Sequence, residues 1–453
     1  MEDYMKRRIK VVDSPMGSGK TSAAIHHINM LGNDTNIMFV TPFLTECDRV
    51  IKECESKNFV QPSEEEFGTK GRHLKALLAK GENIVCTHAL FSYVDKELLD
   101  ILRGGNYILF LDEVINVINE YDLCKYSESN FTERERQLHT IKDMASFIRK
   151  GYVSIDPDFQ VNWSKEEWAD LSRYQHMKHL ADNGLLYYIN DSALFWSFPV
   201  QVFEEDIFND VFILTYMFEH QMQAYYYRFY DITYEYYHTE RQNGQYCFVP
   251  TINQDYEREW KKNVKPLIHI CQSDSLNEIG RPYVANNNQE FSSTLSNNWY
   301  ASHPEELEDV SRCIFNFLRS APPKQRMYTT FKSFNKQVKP ARISRRAFVP
   351  LNAKATNEYG NRTHCAYMVN RYMNPFIKQL FSIRNIAVDQ DKFALADMVQ
   401  WVWRSAIRNN EEIYLYIPSL RMRTLFTQWL NDEEIAYVPY QKSRYFNKSR
   451  KKA

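Results

Sequence analysis

Short apolar runs of strand length recur along the first third of the chain, each followed by a stretch in which apolar residues return every three or four positions. Ile9–Asp13, Asn36–Val40, Asn83–Cys86 and Tyr107–Leu111 read as buried strands, and Lys20–Met30 reads as a helix. Strands alternating with helices need crossover connections, so the pattern predicts a parallel sheet. From about 121 to 205 the pattern turns charged and helical (ERERQLHTIKDMASFIRK) and then aromatic, which predicts an insertion on this first domain. Val211–Thr215 supplies another strand. Residues 222–320, rich in Tyr, Asn and Gln, show no crossover pattern. Within them RFYDITYEYYH reads as strand and EELEDVSRCIFNFLR as helix. APPK at 321–324 marks a boundary, after which strands at Met327–Thr330 and Ile413–Ile417 belong to a second alternating region. The expected fold class is α/β. Its expected organisation is a domain at 1–221, an intervening aromatic and polar segment at 222–320, a second domain at 321–441 and a basic tail at 442–453.

Composition narrows the class. The chain has 453 residues, enough for more than one core. Its longest apolar runs, such as YILFL, are far short of a spanning helix, and MEDYMKRRIK lacks the apolar centre of a secretory signal. These features predict a cytoplasmic protein with no membrane partner. The eight cysteines include no CxxC pair, so neither a zinc site nor a disulfide framework is expected. The net charge of −1 hides a division: residues 321–453 hold 24 Lys and Arg against 9 Asp and Glu, whereas residues 1–320 hold 32 against 48. A basic C-terminal part predicts a surface for a polyanion.

The candidate chemistry begins at SPMGSGKT, residues 14–21. Gly17 and Gly19 let the backbone fold around an anion with its N–H groups turned inward, and Ser14 and Ser18 complete the loop. The helix that follows adds its positive end. Lys20 has the reach for β- and γ-phosphates, and the Thr21 hydroxyl suits Mg²⁺. A carboxylate at the end of the YILFL strand is where that ion needs a further ligand, and Asp112 fits. Glu113 beside it suits polarisation of an attacking water, which favours hydrolysis of ATP over transfer to a small molecule. In the basic half, QWVWRSAIR places Gln400, Arg404 and Arg408 at helical spacing on one face, a candidate arginine finger.

In this order the pieces resemble a superfamily 2 helicase of the DExH kind, closest to helicase-like proteins of bacteriophage genomes. SPMGSGKT resembles motif I, VTPFLTECDRV (40–50) motif Ia, CTHAL (86–90) motif Ib and LDEV motif II. ILTYMF (213–218) stands at motif III, MYTTFK (327–332) at motif IV, ATNEYGNRTHCAYMVNRYMNP (355–375) at motif V and QWVWRSAIR at motif VI. The resemblance implies two RecA-like domains, ATP with Mg²⁺ in the cleft between them and single-stranded nucleic acid across their tops. It carries over Lys20, Thr21, Asp112 and Glu113 as nucleotide and metal residues, and Gln400 and Arg404 as motif VI. Arg408 falls off the family's spacing. Thr215 would couple nucleotide state to strand binding, and Thr41, Thr87 and Thr363 would touch the phosphodiester backbone. Motif III departs from the family's Ser-Ala-Thr, and motif V lacks its Gly-Asp pair.

The expected function is an ATP-dependent helicase or translocase on single-stranded DNA or a forked duplex, with RNA left open, in phage DNA replication or recombination, with phage replication proteins as candidate partners. The alternative is a nucleotide-switched nucleic-acid-binding regulator that does not unwind. A packaging ATPase would need an acidic nuclease cluster after residue 321, which the sequence lacks. Tyr225–Tyr227, Tyr234–Tyr237 and Trp299 are candidates for base stacking, with core packing as the plainer reading.

Overall fold

The computed structural model describes residues 9–437, apart from 66, 122–132, 165–173, 254, 274–275, 280–282, 285–289, 292 and 352–356. The basic tail at 442–453 and the first residues of the motif V string lie outside the described residues. The described residues of Met1–Val12, Thr21–Tyr236 and Asn374–Val388 form one compact unit, and those of Asp13–Lys20, Tyr237–Met373 and Asp389–Ala453 a second.

In the first unit, strands β1 (Ile9–Asp13), β2 (Asn36–Thr41), β3 (Phe59–Val60), β4 (Asn83–Thr87) and β5 (Tyr107–Asp112) alternate with helices α1 (Lys20–Met30), α2 (Leu44–Glu53), α3 (Lys70–Ala79), α4 (His88–Phe91) and α5 (Lys96–Leu102). With β11 (Asp210–Thr215) the strands lie in the order β1-β11-β5-β2-β4-β3. The pairs β11–β5, β5–β2, β2–β4 and β4–β3 are parallel. Phe39, Phe110 and Phe212 are cross-strand partners on β2, β5 and β11. Their rings stack with centroids 5.9 and 4.8 Å apart, and all three are buried. Aligned aromatics of this kind pin register as well as filling the core.

The expected insertion is present as a small body with its own apolar centre. It comprises β6 (Ile118–Glu120), α6 (Glu133–Arg149), β7 (Val153–Ile155), β8 (Val161–Trp163), α7 (Gln175–Asp182), β9 (Leu186–Ile189) and β10 (Ala193–Ser197). The order β6-β10-β9 is antiparallel, as is the pair β7–β8. Met144, Phe147, Val161, Met177 and Leu186 fill its core.

The expectation of a strand at RFYDITYEYYH is half wrong. Its start belongs to α8 (Met222–Phe229), and only from Glu235 does the chain extend, into β12 (Glu235–Gln242). Tyr225, Tyr226 and Tyr227 are buried, and the Tyr226 hydroxyl donates to the Phe198 carbonyl. Tertiary packing has overridden the strand preference of tyrosine, and for these three residues core packing is the reading that holds.

The second unit contains the hairpin of β12 with β13 (Gln245–Pro250), helix α9 (Asp255–Val264), β14 (Ile268–Ile270), the short pair β15–β16 (Tyr283–Val284 and Glu290–Phe291), α10 (Asn297–Ser302) and α11 (Leu307–Leu318). Strands β17 (Arg326–Thr329), β18 (His364–Tyr367) and β19 (Ile413–Tyr416) join β14 in a parallel sheet ordered β14-β19-β18-β17. Leu307, Val310, Ile314 and Leu318 put the buried stripe of α11 on this sheet, the three- and four-residue spacing of a helix packed on one side. Helix α12 (Pro375–Ser382) groups with the first unit, where Phe381 meets Tyr225 and Phe229. The last helices are α13 (Gln390–Val402) and α14 (Leu420–Leu430). The chain passes between the units at several points, and the longest segment of the first ends at Tyr236. Residues 222–320 form no separate segment, because β14 is a strand of the C-terminal sheet. Among the described residues, no helix is long and apolar enough to cross a membrane.

Candidate functional site

Strands β2, β4, β5 and β11 end at Thr41, Thr87, Asp112 and Thr215. The carboxyl edge of a parallel sheet is where such folds hold ligands, and polar side chains gather here. Asp112 is buried, and its carboxylate accepts from the Thr21 hydroxyl at 3.4 Å and the Thr41 hydroxyl at 3.4 Å. Its main-chain carbonyl lies 2.8 Å from Nε2 of His88, a side chain set by the start of α4. Glu113 leaves the strand with φ 67°, a left-handed turn that costs a non-glycine residue and is found where function over-determines the backbone. Its N–H still donates to the Leu214 carbonyl at 2.9 Å, while its carboxylate lies 3.5 Å from the Thr215 hydroxyl. Thr215 is fully buried and accepts from Gln221 Nε2 at 3.1 Å.

Four members of this cluster escaped the sequence reading. His88 lies inside CTHAL, but nothing in the string marks the histidine rather than the threonine. Gln221 and Gln223 follow β11 in a polar stretch without a motif. Gln223 is fully buried and accepts the Ile115 N–H at 3.0 Å, which fixes the chain just past the acidic pair. Arg49 on α2 donates to the Ser22 hydroxyl at 3.0 Å. Burial works to lower the Arg49 pKa, but the Glu53 hydrogen bond and the charges of Glu53, Glu46 and Asp112 raise it above its ordinary value.

The loop between β1 and α1 turns at two glycines. Gly17 and Gly19 have φ of 80° and 83°, where an L side chain is strained. Ser14 stands where the common loop has glycine, and the structure gives the reason. Ser14 is fully buried and its hydroxyl accepts the main-chain N–H of Thr239 on β12 at 2.8 Å, a donor that glycine would leave unpaired. Lys20 Nζ donates to the carbonyls of Ser14 at 2.7 Å and Pro15 at 3.0 Å. The carbonyl oxygen of Arg408 stands 3.8 Å from where a Cβ on Gly17 would lie.

Two expectations are corrected here. The first is that Gln400, Arg404 and Arg408 share a helical face. Helix α13 ends at Val402, Ser405 is extended (φ −78°, ψ −172°), and Arg408 lies on a separate 3-10 turn, Ala406–Asn409. Only Gln400 remains on α13. The Ser405 hydroxyl donates to the Val402 carbonyl at 2.6 Å, the local bond by which serine competes with helix continuation. Arg404 is buried and donates to the Leu351 carbonyl at 3.0 Å. The second is Thr41 as a phosphodiester contact: it is fully buried, and its hydroxyl goes to Asp112. Thr87 is half-buried and caps α4 through the Leu90 N–H at 3.4 Å. Thr363, also half-buried, has its hydroxyl 3.4 Å from Gln325 Oε1 and 3.1 Å from His364 Nδ1.

Residues 262–430 match the YonV C-terminal Rossmann-like domain, and residues 136–196 match the YonV middle domain. The SPbeta prophage-derived uncharacterized protein YonV of Bacillus subtilis (strain 168) is 33% identical over 438 residues, which cover 94% of this chain and 99% of that protein. The chain belongs to the YonV family. The YonV middle domain falls within the insertion, and the YonV C-terminal domain begins before β14, in keeping with a second unit that starts well ahead of residue 321. Among solved structures, that of apo XPD covers 94% of this chain and 95% of its own at 11% identity and a TM-score of 0.54. That likeness gives this YonV-family chain its architecture, a helicase-like fold of two RecA-like domains. The DUF1998 helicase MrfA, bound to DNA and AMPPNP, covers 95% of this chain and 49% of its own at 10% identity and a TM-score of 0.29, too slight a likeness to carry an argument.

Proposed function

We propose that this protein is a nucleic-acid-stimulated ATPase of the helicase or translocase type that moves on single-stranded DNA. The observation that carries the reading is Asp112 at the end of β5, its carboxylate held by Thr21 and Thr41, with Glu113 turned out of the strand beside Thr215. The winding of the loop at Gly17 and Gly19 supports a triphosphate there, with Lys20 turned from the loop carbonyls to the phosphates. A hydroxyl and a carboxylate 3.4 Å apart are the hard oxygen donors that Mg²⁺ takes, the ion keeping waters elsewhere. Thr21 and Asp112 would hold it, and bound there it would neutralise phosphate charge. Glu113 would orient and deprotonate the attacking water. Thr215, bonded to Gln221 and near Glu113, is placed to sense that step.

The test is ATPase activity measured with single-stranded DNA, duplex DNA and RNA at several salt concentrations, together with strand displacement on a tailed duplex. Activity that rises with single-stranded DNA and vanishes in Lys20→Ala and Glu113→Gln supports the motor. Hydrolysis indifferent to every nucleic acid would remove it. Stimulated hydrolysis without displacement leaves a translocase or a nucleotide-switched regulator.

A further inference from the structure

The glycine-rich loop is not bare. Gly19 has no side chain, and the space a Cβ would occupy is filled by Tyr246. Three atoms of that ring, Cγ, Cδ1 and Cε1, lie within 2.5–2.6 Å of the Cβ position, so the ring rests face-on against the glycine. Glycine at such a position lets something approach the main chain closely. In an anion loop that visitor is the phosphate; here it is an aromatic ring.

The hairpin that carries Tyr246 is held firmly in place. Asn243 and Gly244, with φ of 50° and 85°, make the two-residue turn that matches strand twist, and they set Arg241 opposite Tyr246. The Arg241 guanidinium lies 5.9 Å from the ring centroid. Thr239 ties the hairpin to the loop, its hydroxyl 3.0 Å from both the Ser18 carbonyl and the Ser18 hydroxyl. Meanwhile the Lys20 ammonium is bonded to the loop's own carbonyls.

We infer, on the nucleotide reading given above, that hairpin β12–β13 belongs to the nucleotide site and that Tyr246 sets its affinity, ring and phosphate competing for one face of Gly19. A nucleoside triphosphate enters by moving the ring away and drawing Lys20 off the loop carbonyls. Removing the ring removes the competitor. The atoms nearest the glycine are ring carbons, which phenylalanine keeps.

The test is binding of a fluorescent ATP analogue with Mg²⁺ to the full chain, read by anisotropy, for the wild type, Tyr246→Ala, Tyr246→Leu and Tyr246→Phe. The alanine and leucine variants bind about tenfold more tightly, the loss of one aromatic contact, and the phenylalanine variant binds as the wild type does. Unchanged or weaker binding in both ring-less variants overturns the inference, weaker binding making the ring a support for the nucleotide. If wild type and ring-less variants bind alike, only this inference fails. If none of them binds nucleotide, the ATPase reading fails with it.

Discussion

Thr21, the second residue of α1, and Asp112, the last residue of β5, bring their side-chain oxygens to 3.4 Å across 91 positions of sequence. On the proposed reading the two oxygens share one Mg²⁺. Thr21→Ala and Asp112→Asn should each raise the Mg²⁺ concentration for half-maximal hydrolysis, by about 10–100-fold, the loss seen when even an outer metal partner is removed. A Mg²⁺ titration of ATPase activity checks this, and an unchanged midpoint in both variants would move the metal elsewhere.

On the proposed reading Glu113 activates the attacking water. Glu113→Gln keeps size and hydrogen bonding but removes the base, so kcat should fall by about 10²–10⁴-fold with nucleotide affinity preserved. Single-turnover hydrolysis beside a binding titration separates the two. A variant that loses binding and rate together would make Glu113 a ligand rather than a base.

Thr41 is fully buried, and its hydroxyl donates to the Asp112 carboxylate at 3.4 Å. Thr41→Val leaves the carboxylate short of one donor and should cost about 1 kcal/mol of stability, measured by urea unfolding. Single-strand affinity should stay within about twofold. A large loss of DNA binding would restore the backbone-contact role that the sequence suggested.

The aromatic ladder predicts a larger effect. Phe110 lies between Phe39 and Phe212 with no exposure to solvent, so Phe110→Ala should destabilise the first unit by about 3–5 kcal/mol. Phe110→Leu should recover much of that, because volume and apolarity are largely kept. Denaturant midpoints for the two variants decide it.

Asp95 gives a pH dependence. It caps α5 through the Leu98 N–H at 2.9 Å and pairs with Lys75 at 2.6 Å. Burial would raise its pKa, but the hydrogen bonds from Lys75 and Leu98 and the Lys75 charge outweigh it, so the carboxyl titrates below its usual value. A depressed carboxyl stabilises the fold above its unfolded pKa, and that contribution is lost as pH falls through the folded one. Asp95→Asn should therefore lower stability at pH 7 and narrow the gap to wild type below about pH 4. A constant gap across that range would show that the charge contributes nothing.

Much of the first unit could be read in the sequence because its strands are buried on both faces and so are continuously apolar. Tyr107–Leu111 announces itself, and the residues that matter follow the strands directly. Helix Lys20–Met30 and the loop before it were equally plain. The rest depends on partners far away in the chain. The helical start of RFYDITYEYYH follows from the burial of Tyr225–Tyr227, which periodicity cannot show. The end of α13 at Val402 follows from one serine hydroxyl bonding backwards. Ser14 could be seen as a departure, but its reason, the Thr239 N–H, lies 225 residues on. His88, Gln221 and Gln223 acquire meaning only from the groups they meet.

The chain enters and leaves each unit more than once, since 13–20 group with the second while 374–388 return to the first. No single cut divides such a protein into two independent halves. A fragment stopped at Tyr236 would lack Phe381 and leave the rings of Tyr225 and Phe229 uncovered, inviting aggregation. Whoever wants the amino-terminal body alone must graft α12 back by a linker, and the order in which ribosomes deliver these segments makes the first body wait for the last third of synthesis before its surface closes.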